Sequence, residues 1–183
     1  ENDKEQVPFS RQQRALVYQR AKNVSDTNAF GTLDNLYAQG KEWFLQSALS
    51  HPLEKQDFRI TVGGERCIQP HDMSVFNISA MSFGSLSANA IMALNQGAKI
   101  GGFTHDTGEG AISPYHRKFG GDLIWELGTG YFGCRTAEGN FDAHSFAEKA
   151  VDSQVKMIEI KLSQGAKPGK GGVLPSEKIT QEI

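Results

Sequence analysis

The spacing of apolar positions changes twice along the chain, and each change marks a different kind of element. In VPFSRQQRALVYQRAK, Ser10 and Gln13 stand at capping-box spacing and Phe9 is placed to staple onto the first turn, so a helix is predicted to run to about Lys22. Leu33, Leu36, Tyr37, Trp43, Phe44 and Leu49 recur at near-helical spacing across Gly40 and predict a packed surface helix. From Phe58 the period shortens: FRITVGGERCIQP alternates around a Gly-Gly pair and predicts a small β hairpin.

Residues 74–79, with Val75, Phe76 and Ile78, are a short buried-strand candidate that runs into the small-residue turn MSFGSLS. Ser87 can cap a helix over 88–99, closed by Gly101 and Gly102. Residues 103–107 form the next strand candidate, and the segment 117–135, containing DLIWEL and GYFG, reads as a β excursion rather than a crossover helix. Asp142 caps a predicted helix with Phe146, Ala147 and Ala150 on one face, and VKMIEI follows as a strand. Strand, turn and helix in succession place the chain in the α/β class. Three parts are expected: a helical N-terminal scaffold over 1–57, a small β element over 58–73, and an α/β unit over 74–183.

Composition narrows the partners. A formal net charge of −2 offers no basic field for nucleic acid, and no apolar run approaches the roughly 18 residues of a membrane span. The two cysteines, Cys67 and Cys134, form no C-x-x-C pair, which argues against a disulfide framework and fits a reducing, cytoplasmic setting. A first residue that is Glu rather than Met suggests a piece of a longer product.

Four motifs carry candidate chemistry. GTGYFG satisfies G-x-G-x-x-G at Gly128, Gly130 and Gly133, but CRTAEGNF after it does not make the helix a dinucleotide pyrophosphate needs, so plain turns are expected. GAKPGKGG falls one residue short of Walker A spacing, and Gly171 stands where a Ser or Thr should reach magnesium. Its glycines and Lys161, Lys167 and Lys170 still suit an anion at the end of a strand. In HDTGEG, His105, Asp106 and Glu109, with His116 beyond, are too irregularly spaced for a metal site, and Glu109 is better used in proton transfer or in holding an ammonium-like group. Gly84, Ser82 and Ser85 let backbone approach a flat heterocycle.

Together, ISAMSFGSLS, HDTGEG and MIEIKLSQGAKPGKGG closely resemble the FMN-binding synthase domain of glutamate synthases, and more closely the short FMN-binding proteins that carry this domain without a glutaminase part. The resemblance covers residues 74–183. It implies the first part of an incomplete TIM (β/α)8 barrel, with motifs on the strands' C-terminal edge. It further implies an oxidoreductase reaction in the full-length protein: ammonia and 2-oxoglutarate form 2-iminoglutarate, which reduced FMN converts to L-glutamate.

By that resemblance Met81, Ser82, Gly84 and Thr107 border the flavin, and Lys161 and Gln164 reach its polar edge. Lys167 pairs with a substrate carboxylate, and Glu109 stands near the imine carbon. The resemblance implies no metal ligand in this chain, with any iron–sulfur cluster left to residues beyond it. An electron-donor protein or an ammonia-supplying subunit is a partner the resemblance allows.

Two positions depart from the family pattern: Lys170 stands in place of an acidic Glu, and Val173 in place of a Gln that contacts 2-oxoglutarate. Substrate identity is therefore left open: a dicarboxylate such as 2-oxoglutarate still fits because Lys170 adds charge, and another 2-oxo or imino acid fits as well. The rival readings are another FMN-barrel oxidoreductase, such as a 2-hydroxy-acid oxidase or a flavin-type isopentenyl-diphosphate isomerase, and a non-catalytic barrel module. A TIM barrel needs about 250 residues and holds phosphate mainly with its last loops, so the chain alone is expected to bind FMN weakly or not at all and to be inactive.

Overall fold

The computed structural model describes residues 8–25, 35–45, 47–49, 51–52, 54, 58–162, 174 and 176–182. The chain divides into two compact units, Glu1–Leu53 and Glu54–Ile183. In the first, helix α1 (Arg11–Lys22) begins as its sequence predicts: Ser10 Oγ accepts from Gln13 N, and the Gln13 side chain accepts from Ser10 N. Asn23 ends it in the left-handed region at φ 51°.

The helix expected across Gly40 is absent among the described residues, where 35–45 form turns and irregular chain instead. Gly40 sits at φ +83°, outside helical geometry, and the Asn35 side chain accepts from Tyr37 N at 3.1 Å to make a local turn. The apolar spacing there reflects local ring packing: Tyr37 and Trp43 meet edge to face with centroids 6.2 Å apart.

The second unit opens with β1 (Arg59–Val62) and β2 (His71–Ser74), an antiparallel pair in which Arg59 faces Ser74 and Val62 faces His71. Arg59 ties this hairpin to the next helix, donating to Asp72 O at 2.9 Å and to Gly102 O at 2.7 Å. The strand expected over 74–79 is largely a turn, because Asn77 Nδ2 donates to Ser74 O at 2.6 Å and folds the chain back. Only Ile78 bridges, to His105.

Helix α2 (Ala88–Gly101) starts on Ser87, whose Oγ accepts from Ala90 N, and stops on Gly102 at φ +67°. Its Ile91, Asn95 and Ala98 are buried. Asn95 acts as a staple, accepting from Gly121 N at 3.0 Å and donating to Gly121 O at 3.2 Å just before the central strand.

That strand lies within 117–135, which is β rather than helix as its sequence predicts, but it is central to the sheet and not an excursion from it. A four-residue helix α3 (Pro114–Arg117) is followed by β4 (Leu123–Leu127), the centre of a parallel sheet ordered β3 (His105–Asp106), β4, β5 (Val155–Ile160). All five β4 residues are buried, as expected of a parallel strand covered on both faces. One face packs against α4 (Ala143–Ala150), where Trp125 stacks on Phe146 at 5.5 Å beside Leu127 and Cys134. Asp142 caps α4 through bonds from His144 N and Ser145 N.

The architecture is mixed α/β, and the three parallel strands form an open sheet with no closed barrel among the described residues. Beyond it, Lys178 Nζ donates to Ser85 O at 3.2 Å and Tyr115 Oη donates to Glu182 Oε1 at 2.5 Å. No described helix is long and apolar enough to cross a membrane.

Candidate functional site

Side chains alternate along a strand, so the residues of β4 that do not face α4 are Ile124 and Glu126. Glu126 pairs in register with Glu159 of β5, and Lys161 follows two residues on, with the same facing. The Lys161 amine lies 2.9 Å from Glu109 Oε1 and 3.3 Å from Glu126 Oε1, so one cation joins β5 to β4 and to the loop after β3. Its pKa is raised, first by the hydrogen bond to Glu109 and then by the charge of Glu126.

Glycines hold Glu109 in place. A Cβ on Gly128 would lie 3.0 Å from the Glu109 Cγ and Cδ atoms, so any side chain at the end of β4 would have to push Glu109 aside. Gly108, at φ +66°, packs where a Cβ would come 2.9 Å from Ser82 N. GTGYFG thus serves as a shelf for Glu109, and Gly128 is the residue that lets the carboxylate approach.

Met81, Ser82 and Gly84 lie in the loop against Gly108 and Gly110. Met81 N donates to Asp106 O at 3.1 Å, Ser82 Oγ donates to Ser85 Oγ at 3.1 Å, and Gly84 takes φ +104°. Thr107 is fully buried, with its hydroxyl accepting from Glu126 N at 3.1 Å and donating to Gly108 O at 3.0 Å. It therefore locks β4 to the loop bearing Glu109. Gln164, Lys167, Lys170 and Val173 lie outside the described residues.

Sequence reasoning missed Glu126 and assigned Asp106 no role beyond a rejected metal site. Asp106, Glu126 and Glu159 each bring one carboxylate oxygen within 4.8 Å of the others, under Lys161. Burial pushes the Asp106 carboxyl up to about 7, helped by the charges of Glu126 and Glu159 and opposed by the bond from Gly108 N at 2.8 Å. The available signal was a charged residue at an inward position of the apolar run DLIWEL.

The two histidines of the rejected metal set lie elsewhere. His105 precedes Asp106 in β3 and so faces the opposite side, where its ring sits 5.2 Å from that of His116. His116 Nε2 donates to Met81 O at 2.9 Å, and Nδ1 accepts from Ser113 N at 3.1 Å. His116 thereby braces the Met81 backbone from behind. Cys134 is buried in the Trp125 cluster, and Cys67 is exposed.

The family model described as a conserved region in glutamate synthase matches residues 16–183. A glutamate synthase large subunit-like protein of Bacillus subtilis is 36% identical over 152 residues, which is 82% of this chain and 29% of that protein. An archaeal-type glutamate synthase [NADPH] of a Thermotoga species is 38% identical over 105 residues, 57% of this chain and 18% of that protein. The archaeal glutamate synthase [NADPH] of Archaeoglobus fulgidus is 36% identical over 128 residues, 70% of this chain and 22% of that protein. The chain thus spans less than a third of the length of these relatives. No solved structure matches it.

Proposed function

The chain belongs to the glutamate synthase family, and from that membership we propose that it supplies the first strands of an FMN-binding barrel that makes L-glutamate from ammonia and 2-oxoglutarate. The observation that carries this reading is the Lys161 amine held by Glu109 and Glu126 at the C-terminal edge of parallel strands, the edge where α/β folds bind ligands.

The residues present fit a flavin's polar edge. Lys161 keeps about a third of its side chain exposed (34%), and a fixed cation suits the pyrimidine side of an isoalloxazine. Bound and reduced, FMN supplies the hydride. Lys161 holds positive charge where the reduced ring is anionic, which raises its potential. Backbone of Met81 and Ser82, close-packed on Gly108, and the positive-φ turn at Gly84 give the ring a flat wall, with Gln164 as a further polar contact.

Glu109 steadies the positive charge of the imine formed from ammonia and the oxo acid, and Thr107 keeps that loop in register with Glu126. Lys167 pairs with the substrate carboxylate, and Lys170 with a second carboxylate where the substrate has one. Electrons arrive from a donor protein or from NADPH, the donor that the names of two relatives carry, and ammonia from a separate subunit or solution. The experiment is glutamate formation by the full-length protein from ammonia, 2-oxoglutarate and a chemical reductant. Stoichiometric glutamate supports the reading, and bound flavin without glutamate from these substrates rejects the reaction.

A further inference from the structure

Two buried carboxylates lie side by side under Lys161. Asp106 and Glu126 are 5% and 1% exposed, and the exposed Glu159 of β5 lies beside them. Fully ionised, Asp106 and Glu126 would hold two negative charges with carboxylate oxygens within 4.8 Å of each other. Two such charges in a nearly dry pair of side chains are expensive, and the usual remedy is that one carboxyl keeps a proton. Glu126 Oε1 has Lys161 3.3 Å away but no hydrogen bond of good geometry, so it has capacity for a proton or a donor.

We propose that Asp106 and Glu126 are positioning residues that share a proton beneath Lys161 and take up a proton from solvent when negative charge arrives at that amine. The inference rests on the flavin reading above, with reduced FMN as the arriving anion. The proton moves from water to a carboxylate oxygen of the pair, and no bond to the ligand forms or breaks. Once Glu126 is neutralised it releases its hold on Lys161, and the amine's donors turn toward the ligand.

The geometry sets the working range. Burial raises the Asp106 carboxyl toward neutrality, while the Gly108 N–H on Asp106 Oδ1 keeps it from rising further. Among the described residues, the groups facing the pair are Glu159 from β5, Lys161 after it and Glu109 from the loop after β3. His105 and His116 lie on the other face of β3. Addition of negative charge at Lys161 moves the pair's midpoint upward, so uptake occurs above about pH 7 and not below it, where the proton is already held.

Two measurements on the full-length protein test this. In the flavin-free protein, infrared difference spectra should show a protonated-carboxyl C=O band that is present at about pH 6, gone by about pH 9 and missing in Asp106→Asn. In the FMN-loaded protein, the midpoint potential above about pH 7 should fall with the slope of two protons per two electrons, one for the reduced ring and one for the pair. Asp106→Asn and Glu126→Gln should both return it to one proton per two electrons. A carboxyl pair that titrates near 4 in the flavin-free protein overturns the inference whether or not flavin binds. A one-proton slope in the wild-type holoprotein overturns it while leaving the flavin reading intact, and a failure to bind FMN overturns the flavin reading with the first measurement still decisive for the shared proton.

Discussion

The Lys161 amine sits 2.9 Å from the Glu109 carboxylate, across the C-terminal edge of a parallel sheet. One group belongs to the end of β5 and the other to the loop after β3, so the contact exists only when both strands flank β4 correctly. It is therefore a reporter of the fold as well as the core of the proposed site.

Replacing Glu109 with Gln keeps its shape and removes its charge. Steady-state assay of full-length Glu109→Gln should show kcat/KM for the oxo acid plus ammonia lower by roughly 10²- to 10³-fold, the scale of losing one well-placed electrostatic partner. Flavin content should be unchanged. A kcat/KM within about threefold of wild type would remove Glu109 from the reaction.

Gly128 acts on the same carboxylate at a distance from the reacting atoms. A methyl group there must displace Glu109 Cγ and Cδ, which lie 3.0 Å from the Cβ position. Gly128→Ala should lower kcat by about tenfold or more, with a change in unfolding free energy below about 1.5 kcal/mol. Unchanged kinetics would show that Glu109 needs no such clearance.

Behind the site, Trp125 is fully buried and stacked on Phe146, joining β4 to α4. Trp125→Ala should cost about 3–5 kcal/mol in denaturant unfolding of the sheet unit, the range for removing a large core aromatic. A loss under about 1 kcal/mol would contradict the placement of β4 at the centre.

The buried acid and the buried imidazole of β3 pull stability in opposite directions with pH. Asp106 is raised from 3.8 to about 7, so the folded state binds its proton more tightly and stability falls as pH climbs through that window. His105 is lowered from 6.5 to about 4 by burial and by His116, so the unfolded state binds its proton more tightly and stability rises with pH between those values. The two offset each other up to about 6.5, above which only the fall from Asp106 remains. Thermal unfolding of Asp106→Asn across this range should show stability rising with pH, and at pH 8 the wild type should have lost on the order of 4 kcal/mol relative to the variant compared with pH 4. Parallel curves would mean that Asp106 titrates normally.

Much of this corner is legible in the residues themselves. Lys161 announces itself as the first charged residue past the apolar positions of VKMIEI, and Glu109 stands between two glycines in HDTGEG. Local signals of this kind, such as the Ser10, Ser87 and Asp142 caps, depend on a few neighbours and survive folding unchanged. Glu126 was hidden because its meaning comes from partners on other strands: Glu159 in register on β5 and Asp106 on β3. β4 itself was misread because its crossover contains only the four-residue α3, too short for the periodic signal that marks a βαβ unit. Apolar spacing across Gly40 misled in the opposite sense, since a periodic pattern cannot hold a helix together through a residue at φ +83°.

The claim on which the rest depends is that Lys161 faces the polar edge of a bound flavin, and spectroelectrochemical titration of full-length Lys161→Met against wild type tests it most directly. Loss of the cation should lower the flavin midpoint potential, by about 30 mV for each tenfold loss in stabilisation of the reduced state. A Lys161→Met protein that binds FMN with the wild-type potential would contradict the assignment.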